Sequence, residues 1–167
     1  MTPPPKRLWA PWRHPYIVRG VSLEGPRRCM FCVKGRSRRQ DKRNLVVARG
    51  DLAFSLLNLF PYNNGHLMVA PYRHVGDLAS LEESEWLDLF QLAQDGMSRL
   101  KKVMKPHGFN LGINFGRAAG AGIPGHLHLH IVPRWTGDTN FMSVCAGTKV
   151  VSQSLSLAQR LLRSAGD

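Results

Sequence analysis

From Asn44 onward the apolar and polar positions fall into two periods. Asn44–Ala48 and Leu52–Leu57 are short apolar runs separated by Gly50-Asp51, and they read as paired strands. Asn63-Asn64-Gly65 marks a second turn, and His66–Pro71 reads as a third strand. The period then changes. Trp86, Phe90, Ala93, Met97, Leu100 and Met104 recur at steps of four and three, which predicts one long helix with this stripe toward the core. Ser80 and Glu83 have the spacing of a capping box at its start, and Pro106 and Gly108 end it. Asn110–Phe115 reads as a fourth strand and Gly116–Gly125 as a loop of small residues. His126–Val132 reads as a fifth strand whose extension Pro133 limits. A short helix over Ser154–Leu162 closes the chain. Hairpin strands, one long helix and then more strands predict an α+β fold, with a mainly antiparallel sheet of about five strands. No repeat and no linker divides it.

Ahead of this pattern the chain has a different composition. Pro3, Pro4, Pro5, Pro11, Pro15 and Pro26 exclude long regular structure from residues 1–28. Trp9, Trp12 and Tyr16 within that stretch are expected to dock on the domain or on a partner. The formal net charge is +12, and residues 1–43 carry +10 of it, most densely from Lys34 to Arg43. This run reads either as a solvated loop or as an attractor for polyphosphate or nucleic acid. Residues 1–43 are thus a basic, Pro-rich arm belonging to the same domain as residues 44–167. Met1–Lys6 is basic and has no apolar core behind it, unlike a secretory signal. No segment approaches a membrane span, so a cytoplasmic protein is expected. Three cysteines, Cys29, Cys32 and Cys145, are too few and too odd for a disulfide framework. Cys145 is read as a small buried residue.

The fifth strand carries the chemistry. Alternation puts His126, His128 and His130 on one face and Leu127, Leu129 and Ile131 on the other. Neighbouring histidine Cα atoms then lie roughly 6.5–7 Å apart. Histidine is not favoured in strands, so β-propensity does not account for three in alternation. Such a row can bind metal, or it can act on phosphorus. A neutral imidazole is available for attack near pH 7, and a neighbour can donate to phosphate oxygens.

The run His126-Leu127-His128-Leu129-His130-Ile131-Val132 resembles the signature of the histidine-triad superfamily of nucleotidyl hydrolases and transferases. The resemblance extends from about Leu8 to Lys149. Arg7–Arg13 and Val132–Met142 look like the bacterial diadenosine tetraphosphate phosphorylase branch. Yeast dinucleotide phosphorylases instead carry Gln at the position of His130, so the acceptor stays open at this stage. By resemblance, His128 is the nucleophile that forms a nucleotidyl-histidine, and His130 contacts the α-phosphate. Asn58 corresponds to a ribose-binding position and Asn114 to a polar residue near the phosphates, while His66 supports the motif histidines. In the Gly-rich loop, small residues such as Gly122 let backbone amides approach phosphate. Arg117 either pairs with phosphate or faces solvent, and Trp135 either stacks on adenine or packs.

Cys29-x-x-Cys32 has the spacing of one half of many zinc sites, and it reads either as a metal-free turn with His74 exposed or, with His74 and His126, as a closed Cys₂His₂ set. Some members of the superfamily resemble this arrangement. A structural zinc is therefore expected, and no organic cofactor. It would fix the His126 ring and, two residues on, the position of His128. The leading expectation is phosphorolysis of a diadenosine polyphosphate, giving ADP and ATP from diadenosine tetraphosphate with inorganic phosphate as acceptor. The alternatives are a hydrolase or phosphoramidase using water, and, from another class, a protein that binds or processes nucleic-acid ends. The basic run lacks interleaved aromatics for base stacking, so nucleic acid is not expected as a partner. A homodimer is implied by the resemblance.

Overall fold

The computed structural model describes residues 29–139 and 152–166. The arm with Trp9, Trp12 and Tyr16, the Arg7–Arg13 segment, Cys145 and the end of the Val132–Met142 segment lie outside the described residues. Five strands, β1 (Val46–Arg49), β2 (Ala53–Leu57), β3 (Leu67–Pro71), β4 (Gly108–Ile113) and β5 (Leu129–Arg134), form one sheet in the order β1-β2-β3-β5-β4. Every pairing is antiparallel. The helices are α1 (Met30–Arg36), α2 (Asp41–Asn44), α3 (Glu83–Met104) and α4 (Leu155–Ser164). This is the α+β arrangement that the sequence pattern predicts.

Both faces of the central strands are covered, so alternate residues feed two cores. Ala53, Leu57, Leu67, Val69, Leu129 and Ile131 pack on one face with α3 and α4. Phe54, Leu56, Met68 and Ala70 pack on the other with Cys29, Phe31 and Cys32. Residues 29–44 are therefore built onto the sheet as α1, a 3₁₀ turn at Arg38–Gln40, and α2. The solvated-loop reading of Lys34–Arg43 does not describe them. Leu45, at φ 61°, ends α2 in the left-handed region, and this moves the start of β1 from Asn44 to Val46.

The start of α3 also differs from the expectation. Asp77 accepts from the Ala79 amide and caps a 3₁₀ turn over Leu78–Ser80, and Leu81 is then extended and buried. The helix begins after it, so the capping box is Glu82 with Glu85 and not Ser80 with Glu83. The buried line is Leu89, Leu92, Ala93, Gly96 and Leu100. Of the predicted stripe, Ala93 and Leu100 are on it and Trp86, Met97 and Met104 pack partly buried against the same core, while Phe90 is half exposed and stacked on Trp86. The pattern missed Gly96, which scores as neutral yet sits at a close approach. A Cβ there would lie 3.0 Å from Leu67 Cδ1.

β5 starts at Leu129, three residues later than predicted, and runs through Pro133 to Arg134. Pairing with β3 stops at Val69–Leu129, since Pro71 has no amide to offer further along. The Pro71 carbonyl instead accepts from the His126 ring, and the Leu127 amide turns to the Val75 carbonyl. At the other end Pro133 pairs only with β4, beyond the reach of β3. No helix among the described residues is long and apolar enough to cross a membrane.

Candidate active site

The histidine row lies where β5 approaches the sheet, under α1. Phe31, buried inside the C-x-x-C turn, packs its ring 5.1 Å from His126 and 4.7 Å from His128, centroid to centroid. All three motif histidines are therefore on the face opposite Leu127, Leu129 and Ile131, as alternation requires.

Hydrogen-bond partners fix where each ring carries its proton, because a carbonyl can only accept and an amide can only donate. His128 Nδ1 lies 2.8 Å from the His126 carbonyl oxygen. Nδ1 must donate, which leaves the Nε2 lone pair as the free nucleophilic position. The Tyr62 amide donates to His66 Nδ1 at 3.1 Å, with the Asn58 amide nitrogen 3.3 Å from the same atom. His66 therefore carries its hydrogen on Nε2, which lies 3.0 Å from His130 Nδ1. His130 Nδ1 accepts that hydrogen, so His130 Nε2 is a donor. The Tyr62 amide, in the turn after β2, thus sets the proton on the His130 ring through His66. The same histidine run presents the His130 N–H donor beside the bare His128 nitrogen, the two ring centroids 4.8 Å apart. Burial also lowers the His128 pKa below its usual value, offset in part by the bond to the His126 carbonyl, and so favours the neutral ring.

A cleft of about 220 Å³ opens onto His128 and His130. Met30, Phe31, Leu59, Phe60, Met68 and Ile123 give it apolar walls, with Asn58, Asn114, Gly120 and Gly122 also lining it. Among the sequence-predicted residues, His128, His130, Asn58, Asn114 and Gly122 come together here. His66 stands behind His130, fully buried, and does not line the cleft. Arg117 is exposed and absent from the lining. Trp135 is remote, donating from its indole to the Met104 carbonyl at the end of α3. Lys34 is the sole cation among the described residues lining the cleft. Its Nζ donates to the Asn44 carbonyl at 3.3 Å, and burial lowers its pKa. Its sequence signal was membership of the basic run, which did not distinguish it from its neighbours. Phe31 was hidden inside the C-x-x-C.

Cys29, Cys32, His74 and His126 converge beside this cleft, with their four ligand atoms all within 4.8 Å of one another. His126 Nδ1 lies 3.3 Å from Cys29 Sγ, 3.4 Å from Cys32 Sγ and 3.3 Å from His74 Nδ1. His126 Nε2 donates to the Pro71 carbonyl at 2.9 Å, which turns the Nδ1 lone pair toward the cluster. Burial holds the His126 pKa down at about 4. Desolvation, with Cys29 alongside, pushes the Cys32 thiol up to about 11. Arg73, next to His74, pairs with Glu85, so the loop carrying His74 is tied to the first turn of α3. The arrangement can hold a metal ion.

The pattern of the HIT domain family matches residues 39–137. Over 160 residues the chain is 42% identical to the AP-4-A phosphorylase of Mycobacterium tuberculosis, covering 94% of this chain and 82% of that one. It is 38% identical over 93 residues to an asymmetrical bis(5'-nucleosyl)-tetraphosphatase of Schizosaccharomyces pombe, covering 56% of this chain and 50% of that one. The fold is that of a zinc-bound histidine triad family protein from Mycobacterium smegmatis. The TM-score is 0.65 at 24% identity, over 85% of this chain and 95% of that one.

Proposed function

This chain belongs to the HIT family, and on that premise we propose that it is a nucleotidyltransferase that cleaves diadenosine tetraphosphate by phosphorolysis. The observation that carries the chemistry is the His128 ring, whose Nδ1–H is held by the His126 carbonyl while Nε2 stays unprotonated. The 42% identity to an AP-4-A phosphorylase along nearly the whole chain supports the substrate.

In the first half-reaction His128 Nε2 attacks the α-phosphorus of one adenylyl group. The P–N bond forms, the bridging P–O bond breaks, and ATP leaves. His130 Nε2–H donates to an α-phosphoryl oxygen, where negative charge grows in the transition state. The Nδ1–H bond to the His126 carbonyl stabilises the ring as it becomes cationic. In the second half-reaction an oxygen of inorganic phosphate attacks the same phosphorus. The P–N bond breaks, ADP leaves, and His128 regains its lone pair. The apolar walls receive adenine, and Asn58 meets the ribose. Asn114 and the Gly122 amide meet the phosphates. Lys34 supplies the positive charge that a second anion requires beside the first. Acceptor phosphate and departing ATP occupy the same in-line position, so Lys34 serves both. His66 acts as a positioning residue for His130.

The metal site fits zinc. A tetrahedral zinc with sulfur at about 2.3 Å and nitrogen at about 2.0 Å sets sulfur–nitrogen edges of roughly 3.5 Å, close to the spacings of the four ligands here. When bound, zinc would supply structural cross-linking only. Cys29, Cys32, His74 and His126 would join α1, the loop after β3 and the approach to β5, and so hold the cleft floor. A homodimer is proposed as well. β4 is an edge strand among the described residues, and Leu111 on it is exposed.

The deciding experiment is product analysis of diadenosine tetraphosphate turnover with and without millimolar phosphate. Phosphorolysis yields ADP and ATP at a rate that rises with phosphate. AMP and ATP in unchanged ratio would make the chain a hydrolase, the activity named for the Schizosaccharomyces pombe relative.

A further inference from the structure

The basic run does not cover the cleft. Beyond Lys34 it turns around the β1 edge of the sheet and meets α4, forming a separate groove of about 1470 Å³. Arg38, Arg39, Lys42, Arg43 and Arg160 line this groove and are exposed. None of them has an acidic partner among the described residues. The other cations in its wall are engaged within the fold. Arg49 is paired with Asp41, Arg99 with Asp95, and Arg163 with the Val46 carbonyl. Asp41 is the single acid in the lining. Five unneutralised charges concentrated in one concavity repel each other and raise the energy of the fold, so the groove is best explained by an anionic occupant.

Residues 1–28 do not supply that occupant. They carry Lys6, Arg7, Arg13, Arg19, Arg27 and Arg28 against Glu24 alone. Among the described residues a second copy offers four exposed acids without an ion pair, Asp51, Asp77, Glu82 and Glu83, of which Asp77 and Glu82 already accept from backbone amides. Glu85, Asp95 and Asp138 are ion-paired, and Asp88 accepts from the Leu52 and Ala53 amides. The groove also lacks what other foreign partners need. No large exposed hydrophobic lines it, so there is no anchor for a protein interface. The apolar face of α4 is turned into the core through Ala158 and Leu162, which leaves none to enter a lipid surface. No aromatic lines it, so bases of a single strand have nothing to stack on. What remains is a rigid row of phosphodiesters. Four of the five free cations are arginines, whose planar forks match phosphate oxygens.

We propose that the groove between α2 and α4 is a docking surface for the phosphate backbone of a nucleic-acid duplex, independent of the catalytic cleft. The absence of interleaved aromatics, which argues against single-strand binding, is what a sequence-independent duplex contact permits.

The test uses the full chain and a labelled 20-base-pair DNA duplex of arbitrary sequence, followed by fluorescence anisotropy. Five phosphate contacts give a slope of log K against log salt of about −4.5, or roughly a 500-fold loss of affinity between 50 and 200 mM salt. The combined variant Arg38→Gln, Arg39→Gln, Arg43→Gln, Arg160→Gln should reduce the steepness of that slope by about 3.6, with its melting temperature raised as the repulsion is relieved and its dinucleotide turnover unchanged. The Lys counterpart at the same four positions should keep the slope, and Lys6→Gln, Arg7→Gln, Arg13→Gln should leave most of it. The proposal is overturned if the four-Gln variant keeps the wild-type slope, or if the wild type does not bind the duplex at 50 mM salt. It is overturned equally if a poly-U strand, an inorganic polyphosphate, a glutamate-rich peptide or anionic vesicles bind more tightly than the duplex.

Discussion

Replacing Lys34 with Met isolates the choice between phosphate and water. Met keeps the apolar stem against the cleft wall and removes only the ammonium. Among the described residues the Lys34 ammonium has one protein acceptor, the Asn44 carbonyl, which leaves hydrogens for an anion in the cleft. A hydrogen bond to a charged group contributes about 1.5–3 kcal/mol. Lys34 is only partly buried, so about 1–2 kcal/mol is the appropriate range after solvent screening. That range corresponds to roughly 5- to 30-fold weaker capture of phosphate. The departing ATP also passes Lys34, so the overall rate mixes two effects. The ratio of ADP to AMP does not, because both products arise from the same adenylyl-His128. At fixed, subsaturating phosphate that ratio, read by chromatography of the quenched reaction, should fall 5- to 30-fold in Lys34→Met and recover most of the way in Lys34→Arg. A ratio within twofold of wild type would refute the assignment of Lys34 to the acceptor, whatever happens to kcat.

His128→Ala should lower turnover by about a thousandfold or more while the melting temperature holds within a few degrees; one tenth of wild-type activity would remove the nucleophile assignment. Burial depresses the His128 pKa, so the acid limb of kcat should fall below pH ~6.5, with activity lost as falling pH protonates Nε2; a limb centred above 7 contradicts the buried neutral ring. Purified protein should contain about one zinc per chain, and Cys29→Ala should release it and lower the melting temperature; zinc-free protein of unchanged stability would exclude the site. Gly65→Ala combines a left-handed φ of 71° with a Cβ 2.7 Å from Leu100 Cδ2 and Met104 Sδ. It should destabilise by about 1–3 kcal/mol, read as a lowered urea midpoint, and an unchanged midpoint would show that the turn relaxes freely.

By itself the sequence determined whatever depends on local periodicity. Strand alternation alone assigns His126, His128 and His130 to one face and Leu127, Leu129 and Ile131 to the other, and the two cores separate them accordingly. The Cys29-x-x-Cys32 spacing, with His74 and His126, gave a ligand set whose atoms do converge. The number of strands and their mainly antiparallel pairing were legible for the same reason, because turns and hydrophobic runs are short-range signals, whereas the order β1-β2-β3-β5-β4 was not. The tertiary structure decided what depends on residues far apart in the chain. The proton positions on His128 and His130 follow from a carbonyl and a main-chain amide that no pattern encodes. Gly96 was invisible as a core residue because its role is close approach, not hydrophobicity. Lys34 and Arg38 belong to one basic run, yet a helical turn and the β1 edge send one into the cleft and the other into a separate groove. Charge density can be counted along a chain, but the direction each charge faces is fixed only when the elements pack.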